Sequence, residues 1–376
     1  MQLLDLNWSR YRVPFRSAFH TAHGSLSHRS GALIAARIDD GRVGYGEIAP
    51  LPTHNGYSLE ESLSTLPRLA RALRGQELPD LLRSLATWSA DEQLPAPLVC
   101  GLETALLDAY GQACGLRVAD VLASNALSAQ GSSPAAAVYT GVPVNAVISA
   151  TTTEAALTSA RVALAAGFTC LKLKLTDASP GAIERVAAVR AALGAAPRLR
   201  LDANASWQSE QARDLLVQCA PYDIEYVEQP LPTSDLYGMA ELRRVSPIPL
   251  AADEALSGLA SARRILRAQA ADVLILKPQL AGGLQVCRRI IQEAAAQGVD
   301  CVITSTLESG IGVTAALHLA AASPAITRPC GLATLALLEN DLLDTSLPIQ
   351  RGTIELPAAS GLGVYPNLAA LKRFIF

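Results

Sequence analysis

The chain has 376 residues, 50% of them hydrophobic, enough for one large domain with a substantial core and a smaller companion. Its formal net charge is −3, and the 31 basic and 34 acidic residues form no block of one sign. That pattern excludes the electrostatic footprint of a nucleic-acid or anionic-membrane binder and leaves a small molecule as the expected partner.

Residues 1–8 carry no basic segment followed by a long apolar run, and no window reaches membrane-spanning length, so a cytoplasmic protein is expected. The seven cysteines are odd in number and contain no Cys-x-x-Cys pair, which argues for reduced, mostly buried thiols. Residues 1–125 lack a regular strand-helix pitch and read as an α+β unit. Strands at 3–13, 32–38 and 41–48 suggest an antiparallel meander, with Asp39-Asp40-Gly41-Arg42 as a hairpin turn. Helices are expected at 59–74 and 99–112, the latter closed by Gly115. Gly44-Tyr45-Gly46 lacks the context of a phosphate loop and reads as turn and packing glycine. Residues 19–29 form a polar stretch with three histidines. It is either a plain surface loop or a lid that closes on an anionic substrate through His28 or Arg29.

Residues 125–134, rich in Ala, Ser and Gly, read as a linker. Beyond it strands and helices alternate, with helices expected at 153–166, 181–193, 206–219, 257–269, 283–297 and 310–322. In Cys170-Leu171-Lys172-Leu173-Lys174-Leu175 the lysines alternate at strand period, so both leave one face and each eases deprotonation of the other; an exposed edge strand is the alternative. Three following strands stop on Asp202-Ala203-Asn204, Glu228-Gln229-Pro230 and Asp253-Glu254, and a fourth on Lys277-Pro278. Lys174, Asp202, Glu228, Asp253 and Lys277 are about 24 to 28 residues apart, the pitch of one strand, one helix and two loops. A single carboxylate at a strand end is usually a cap. Three in succession between lysines suit a hard divalent cation, Mg2+ above all, with positions left for substrate oxygens. A seventh strand ends in Ser305-Thr306-Leu307-Glu308-Ser309-Gly310, whose hydroxyls and helix N-terminus offer an anion seat or simple N-capping.

The order Lys-x-Lys, Asp-x-Asn, Glu-Gln-Pro, Asp-Glu, Lys-Pro-x-x-x-Gly-Gly and Glu-Ser-Gly-Ile-Gly, behind Gly-Tyr-Gly-Glu-Ile-Ala-Pro-Leu-Pro, resembles the muconate-lactonizing subgroup of the enolase superfamily across nearly the whole chain. The stretch 19–31, with Thr-Ala-x-Gly and His-Arg-x-Gly, is most similar to o-succinylbenzoate synthases of menaquinone biosynthesis. The resemblance implies an α/β fold: a (β/α)7β TIM-like barrel over residues 126–350, an N-terminal α+β capping domain over 1–125, and a C-terminal segment, 351–376, returning to the cap. It also implies Mg2+ as cofactor, with Mn2+ as a substitute, bound by Asp202, Glu228 and Asp253. Lys174 would be the acid/base, Lys277 its counterpart on the opposite face, and Lys172 would lower the pKa of Lys174. Thr21, His28, Arg29, Asn204, Ser305, Thr306 and Glu308 would contact the substrate or its surroundings. The implied chemistry is proton abstraction α to a carboxylate through an enediolate. A dehydrating lyase leads, and racemisation of N-acylamino acids or epimerisation of dipeptides is the alternative. A barrel that keeps the scaffold only to bind would have lost a ligand or a lysine, and none is missing. Cys330-Gly331-Leu332-Ala333-Thr334, at the eighth strand, offers no carboxylate for the ammonium group of a dipeptide. A small-molecule carboxylate is thus the expected partner, and homo-oligomerisation stays open.

Overall fold

The computed structural model describes residues 1–21, 24–51, 57–90, 94–124, 137–177 and 179–376. The inferred linker at 125–134 lies outside the described residues. The N-terminal sheet is a long hairpin, β1 (Leu3–Thr21) against β2 (Gly24–Ile38), with β3 (Val43–Ile48) on the other edge of β2. Alternate residues Ala32, Ile34, Ala36 and Ile38 are fully buried beneath the helices, as period 2 requires. Helix Ala96–Cys114 lies directly on β3, because a Cβ at Gly44 or Gly46 would run into its backbone at Ala105 and Gly101. These glycines therefore serve packing within a strand rather than a turn. The polar stretch 19–29 is corrected in the same way: apart from 22–23, outside the described residues, it extends both strands of the hairpin, pairing Phe19 with Leu26 and Pro14 with His28. The expected helix at 59–74 is two, Leu59–Ser64 and Leu66–Leu73, because Pro67 cannot donate to the ladder that would join them.

The larger sheet follows β4 (Gly141–Pro143), which pairs with β12 (Ile349–Gln350) and β13 (Thr353–Glu355) in a small antiparallel sheet. Seven parallel strands run in sequence order: β5 (Ala146–Ile148), β6 (Cys170–Lys174), β7 (Arg198–Asp202), β8 (Ile224–Glu228), β9 (Leu250–Ala252), β10 (Val273–Leu276) and β11 (Asp300–Ile303). Helices alternate with them, including Leu236–Val245, whose weak apolar pattern buries only Met239 and Leu242. Parallel bridges join Val144 to Cys330 and Thr304 to Gly331, so one short segment touches both edges of the curled sheet. The architecture is α/β with a separate N-terminal sheet and is consistent with a TIM-like barrel. Tyr226, Ala251, Val273, Ile275 and Val302 pack together inside the curl, apart from the main core.

Two cap carboxylates hold the sheet-side helices. Glu47 accepts from the Tyr11 hydroxyl, from Ser309 N–H at 2.8 Å and Oγ at 2.6 Å, and from Gly312 N–H at 2.8 Å, thereby capping helix Gly310–Ala321. Glu103 does the same for helix Leu284–Ala295, accepting from the N–H groups of Leu284 and Gln285. The C-terminal stretch reaches the same region: Leu362 N–H donates to Asp108 at 2.8 Å, and Leu362 O accepts from His318 Nε2 at 2.9 Å. All seven cysteines are free, with Cys114 exposed and the rest buried. Among the described residues no helix is long and apolar enough to cross a membrane.

Candidate active site

Parallel register sets Lys174 beside Asp202 and Asp202 beside Glu228, all at the carboxyl ends of β6, β7 and β8. Asp253 and Glu254 follow β9, and Lys277 follows β10. The five residues predicted at strand ends therefore lie on consecutive strands in one row, three acids flanked by two lysines. Lys172 and Lys174 share a face, as their alternation requires. Lys172 Nζ sits between Asp202 (3.0 Å) and Glu228 (2.8 Å), while Lys174 Nζ lies 3.6 Å from Asp202 and donates to Asn204 Oδ1 at 2.7 Å. Lys277 Nζ meets both oxygens of Asp253 at 2.7 Å.

These contacts revise the expected electrostatics of the lysine pair. Burial opposes the charge of Lys172, but Asp202, Glu228 and Asp253 outweigh it and hold its pKa well above the ordinary lysine value. Lys172 is thus a cation clamped by carboxylates. Lys277 is raised for the same reasons, burial being overcome by Asp253 and Glu254. Burial would raise Asp202, yet Lys172 and Lys174 keep it well below the carboxylate range. Glu228 goes the other way, pushed up to about 8 by burial and by Asp202. Glu254 rises to about 7 through burial and Asp253, and its Oε2 has no hydrogen-bond partner.

Four carboxylates face three ammonium groups here, and two of the acids are held above their ordinary range. The site is short of positive charge. Among the described residues no three His, Cys, Asp or Glu side chains converge on one point, since lysines fill the gaps between the acids. An all-oxygen donor set of three carboxylates at successive strand ends, short of positive charge, fits a hard divalent cation, for which Asp202, Glu228 and Asp253 are the candidate ligands.

Several expected substrate contacts are engaged elsewhere. Arg29 is 4% exposed and donates to Leu307 O (3.1 Å), Ser30 O (2.9 Å), Pro50 O (2.7 Å) and Ala49 O (2.5 Å). Four of its five N–H groups thus go to the chain's own carbonyls, so Arg29 is a buried clamp between loops rather than an open group on a lid. His28 is exposed beside Ser27 Oγ at 3.0 Å. The side chain of Thr21 lies outside the described residues. Ser305 Oγ pairs with Thr334 Oγ1 at 2.7 Å, and Thr306 donates to Glu308 through N–H (2.7 Å) and Oγ1 (2.6 Å). The helix N-terminus read as an anion seat is filled by the chain's own Glu47. No sequence signal joined residues 262 positions apart, although Glu47 stands in the quoted Gly-Tyr-Gly-Glu motif. Gln229 was also missed: fully buried, it accepts from Asp253 N–H (3.0 Å) and Ala255 N–H (3.2 Å) and so shapes the turn carrying both acids.

A capped, curled parallel sheet with acids and lysines gathered at its carboxyl ends defines an acid–base enzyme scaffold. Residues 155–370 match the family described as Enolase C-terminal domain-like, and the chain belongs to the enolase superfamily. It is 30% identical over 375 residues to the L-Ala-D/L-Glu epimerase of Bacillus subtilis (strain 168), covering 97% of both chains. It is 38% identical over 209 residues to the o-succinylbenzoate synthase of Thermobifida fusca (strain YX), covering 55% of this chain and 63% of that one. The crystal structure of the dipeptide epimerase from Enterococcus faecalis V583, complexed with Mg and the dipeptide L-Leu-L-Tyr, superposes with a TM-score of 0.88 at 26% identity, covering 97% and 99% of the two chains.

Proposed function

We propose that this enzyme, built on a (β/α)7β barrel closed by Cys330 and Gly331, removes the proton α to a substrate carboxylate, with Asp202, Glu228 and Asp253 holding Mg2+. The carrying observation is the row Lys174, Asp202, Glu228, Asp253, Lys277 on five consecutive strands. Bound Mg2+ supplies positive charge that lowers the pKa of the C–H next to the carboxylate. Lys174 takes that proton from one side, its amine held by Asn204. Lys277 stands at the other end of the acid row, and Lys172 is a fixed positive charge beneath the acids.

In one reading the reaction is dehydration: 2-succinyl-6-hydroxy-2,4-cyclohexadiene-1-carboxylate loses its α-proton to Lys174, which returns a proton to the departing hydroxyl. Water and 2-succinylbenzoate result. Lys277 then contributes only charge over the ring. The segment 330–334 speaks against a dipeptide, because it offers no carboxylate for a substrate ammonium group and Thr334 is paired with Ser305, and it leaves N-acylamino acids, whose nitrogen is neutral, open. The similarity to the Thermobifida synthase supports dehydration. Epimerisation of a dipeptide or racemisation of an N-acylamino acid is the other reading, and the full-length similarity to the Bacillus epimerase supports it better than the partial similarity to the Thermobifida synthase supports dehydration.

Incubation of the Mg2+-loaded enzyme with the cyclohexadiene should give the aromatic product. Parallel incubations of N-succinylamino acids and L-Ala-L-Glu in D2O report α-exchange. Lys277→Arg keeps the charge but cannot trade protons at neutral pH, so it should abolish racemisation far more completely than dehydration. Full activity in Lys174→Ala would refute the acid–base assignment for either reaction.

A further inference from the structure

Beyond the residues that would touch metal or substrate, Glu254 has a carboxylate buried at the site with one oxygen unpartnered and the other accepting from Asn204 Nδ2 at 3.1 Å. Successive residues of a strand face opposite sides, so Asp253 and Glu254 could not both reach the mouth from within β9. The strand ends at Ala252, and the Gln229 side chain gathers the N–H groups of Asp253 and Ala255 into a tight turn. That turn delivers both acids to the same side.

Asn204 is the link from Glu254 to Lys174. Its backbone adopts the left-handed region (φ 46°), as does Ala205 (φ 59°), and its N–H donates to Asp202 Oδ1 at 3.1 Å. Side chains rarely hold two such conformations in succession unless surrounding contacts fix them. An amide has one accepting and one donating end. Lys174 only donates when charged, so the Asn204 oxygen must face it and the NH2 group needs an acceptor elsewhere. Glu254 Oε1 is that acceptor.

We propose that Glu254 is a positioning residue for Lys174: by binding the Asn204 NH2 group it locks the amide with its oxygen toward the lysine. One N–H of Lys174 is then held by Asn204 in both the charged and the neutral form, which restrains the lone pair of the free amine to the directions facing the site. The proposal rests on Lys174 being the acid–base group.

The test compares Glu254→Met, which fills the space without an acceptor, with Glu254→Gln, which keeps an acceptor and removes the charge. Wild-type enzyme and Lys174→Ala are assayed first, so failure of the underlying function appears separately as no turnover in the one or full turnover in the other. Glu254→Met should lower kcat by about a hundredfold with KM little changed, the loss expected when a reacting group is misplaced by about 1 Å, and Glu254→Gln should recover at least about a tenth of wild-type kcat. The double variant Glu254→Met with Asn204→Leu should be no slower than Asn204→Leu alone, because both act through one link. Equal losses in the Met and Gln variants, or fully additive losses in the double variant, would overturn the proposal.

Discussion

Acidification should destabilise the protein through His318. This histidine is fully buried in helix Gly310–Ala321, where Nδ1 accepts from Ala119 N–H at 3.1 Å and Nε2 donates to Leu362 O. A proton added to Nδ1 would face the Ala119 N–H, so the fold selects the neutral ring. Burial accordingly lowers the pKa from 6.5 to about 4, against the hydrogen bond to the Leu362 carbonyl, with Arg117 adding to the effect and Asp120 opposing it. Between these values the unfolded chain binds a proton that the native state refuses. The contribution is therefore complete above about pH 6.5 and is lost as pH falls toward 4. At about 1.4 kcal/mol per unit, the loss between about pH 7.5 and about pH 4.5 is about 2.5 kcal/mol. Glu103 and Asp108, raised by burial to about 7 and about 6, act in the opposite direction, since the native state holds their protons more tightly. Urea unfolding of wild type and His318→Gln across this range cancels those shared terms, and the difference in stability should shrink by about 2.5 kcal/mol toward acid. NMR titration of labelled histidine should likewise find no His318 midpoint above about 5. Parallel stability profiles, or a midpoint near 6.5, would refute the reasoning.

Two further outcomes follow from the site and the cap. Asp202→Asn, Glu228→Gln and Asp253→Asn should each weaken Mg2+ binding, measured by calorimetry, by more than the ~10–100-fold that outer-sphere partners cost, and should suppress turnover with it; near-normal affinity would remove that residue from the metal. Glu47→Gln sets an NH2 group against donors from Tyr11, Ser309 and Gly312, so denaturant unfolding should show a loss of about 2–3 kcal/mol.

The row of strand ends was legible because each contributing segment is local: an apolar run of strand length, a polar stop, and a constant pitch to the next. The lysine alternation was legible for the same reason. Nothing local marked Arg29 as a clamp, because its acceptors are backbone carbonyls brought from Ala49, Pro50 and Leu307 by the fold. The hairpin at 19–29 reads as a loop in the sequence because its many polar residues and Gly24 interrupt the apolar alternation that marks a strand. The helix break at Thr65 was missed although Pro67 announced it, since the apolar spacing continues through it. Glu254 was visible only as the second acid of a pair. Its inward direction depends on the Gln229 side chain, which periodicity cannot reveal.

The bridges from Cys330 and Gly331 bear on how the molecule is made. On the ribosome, the ladder from Ala146 to Ile303 can pair progressively as each strand emerges, but Val144 and Thr304 receive their neighbour only when residues 330–331 are out of the exit tunnel. Until then the nascent sheet carries two unsatisfied edges, each a template for pairing with another chain. Arrival of that one short segment occupies both at once. Slowing synthesis just before it should therefore lengthen the window for aggregation more than a pause of equal duration placed after it.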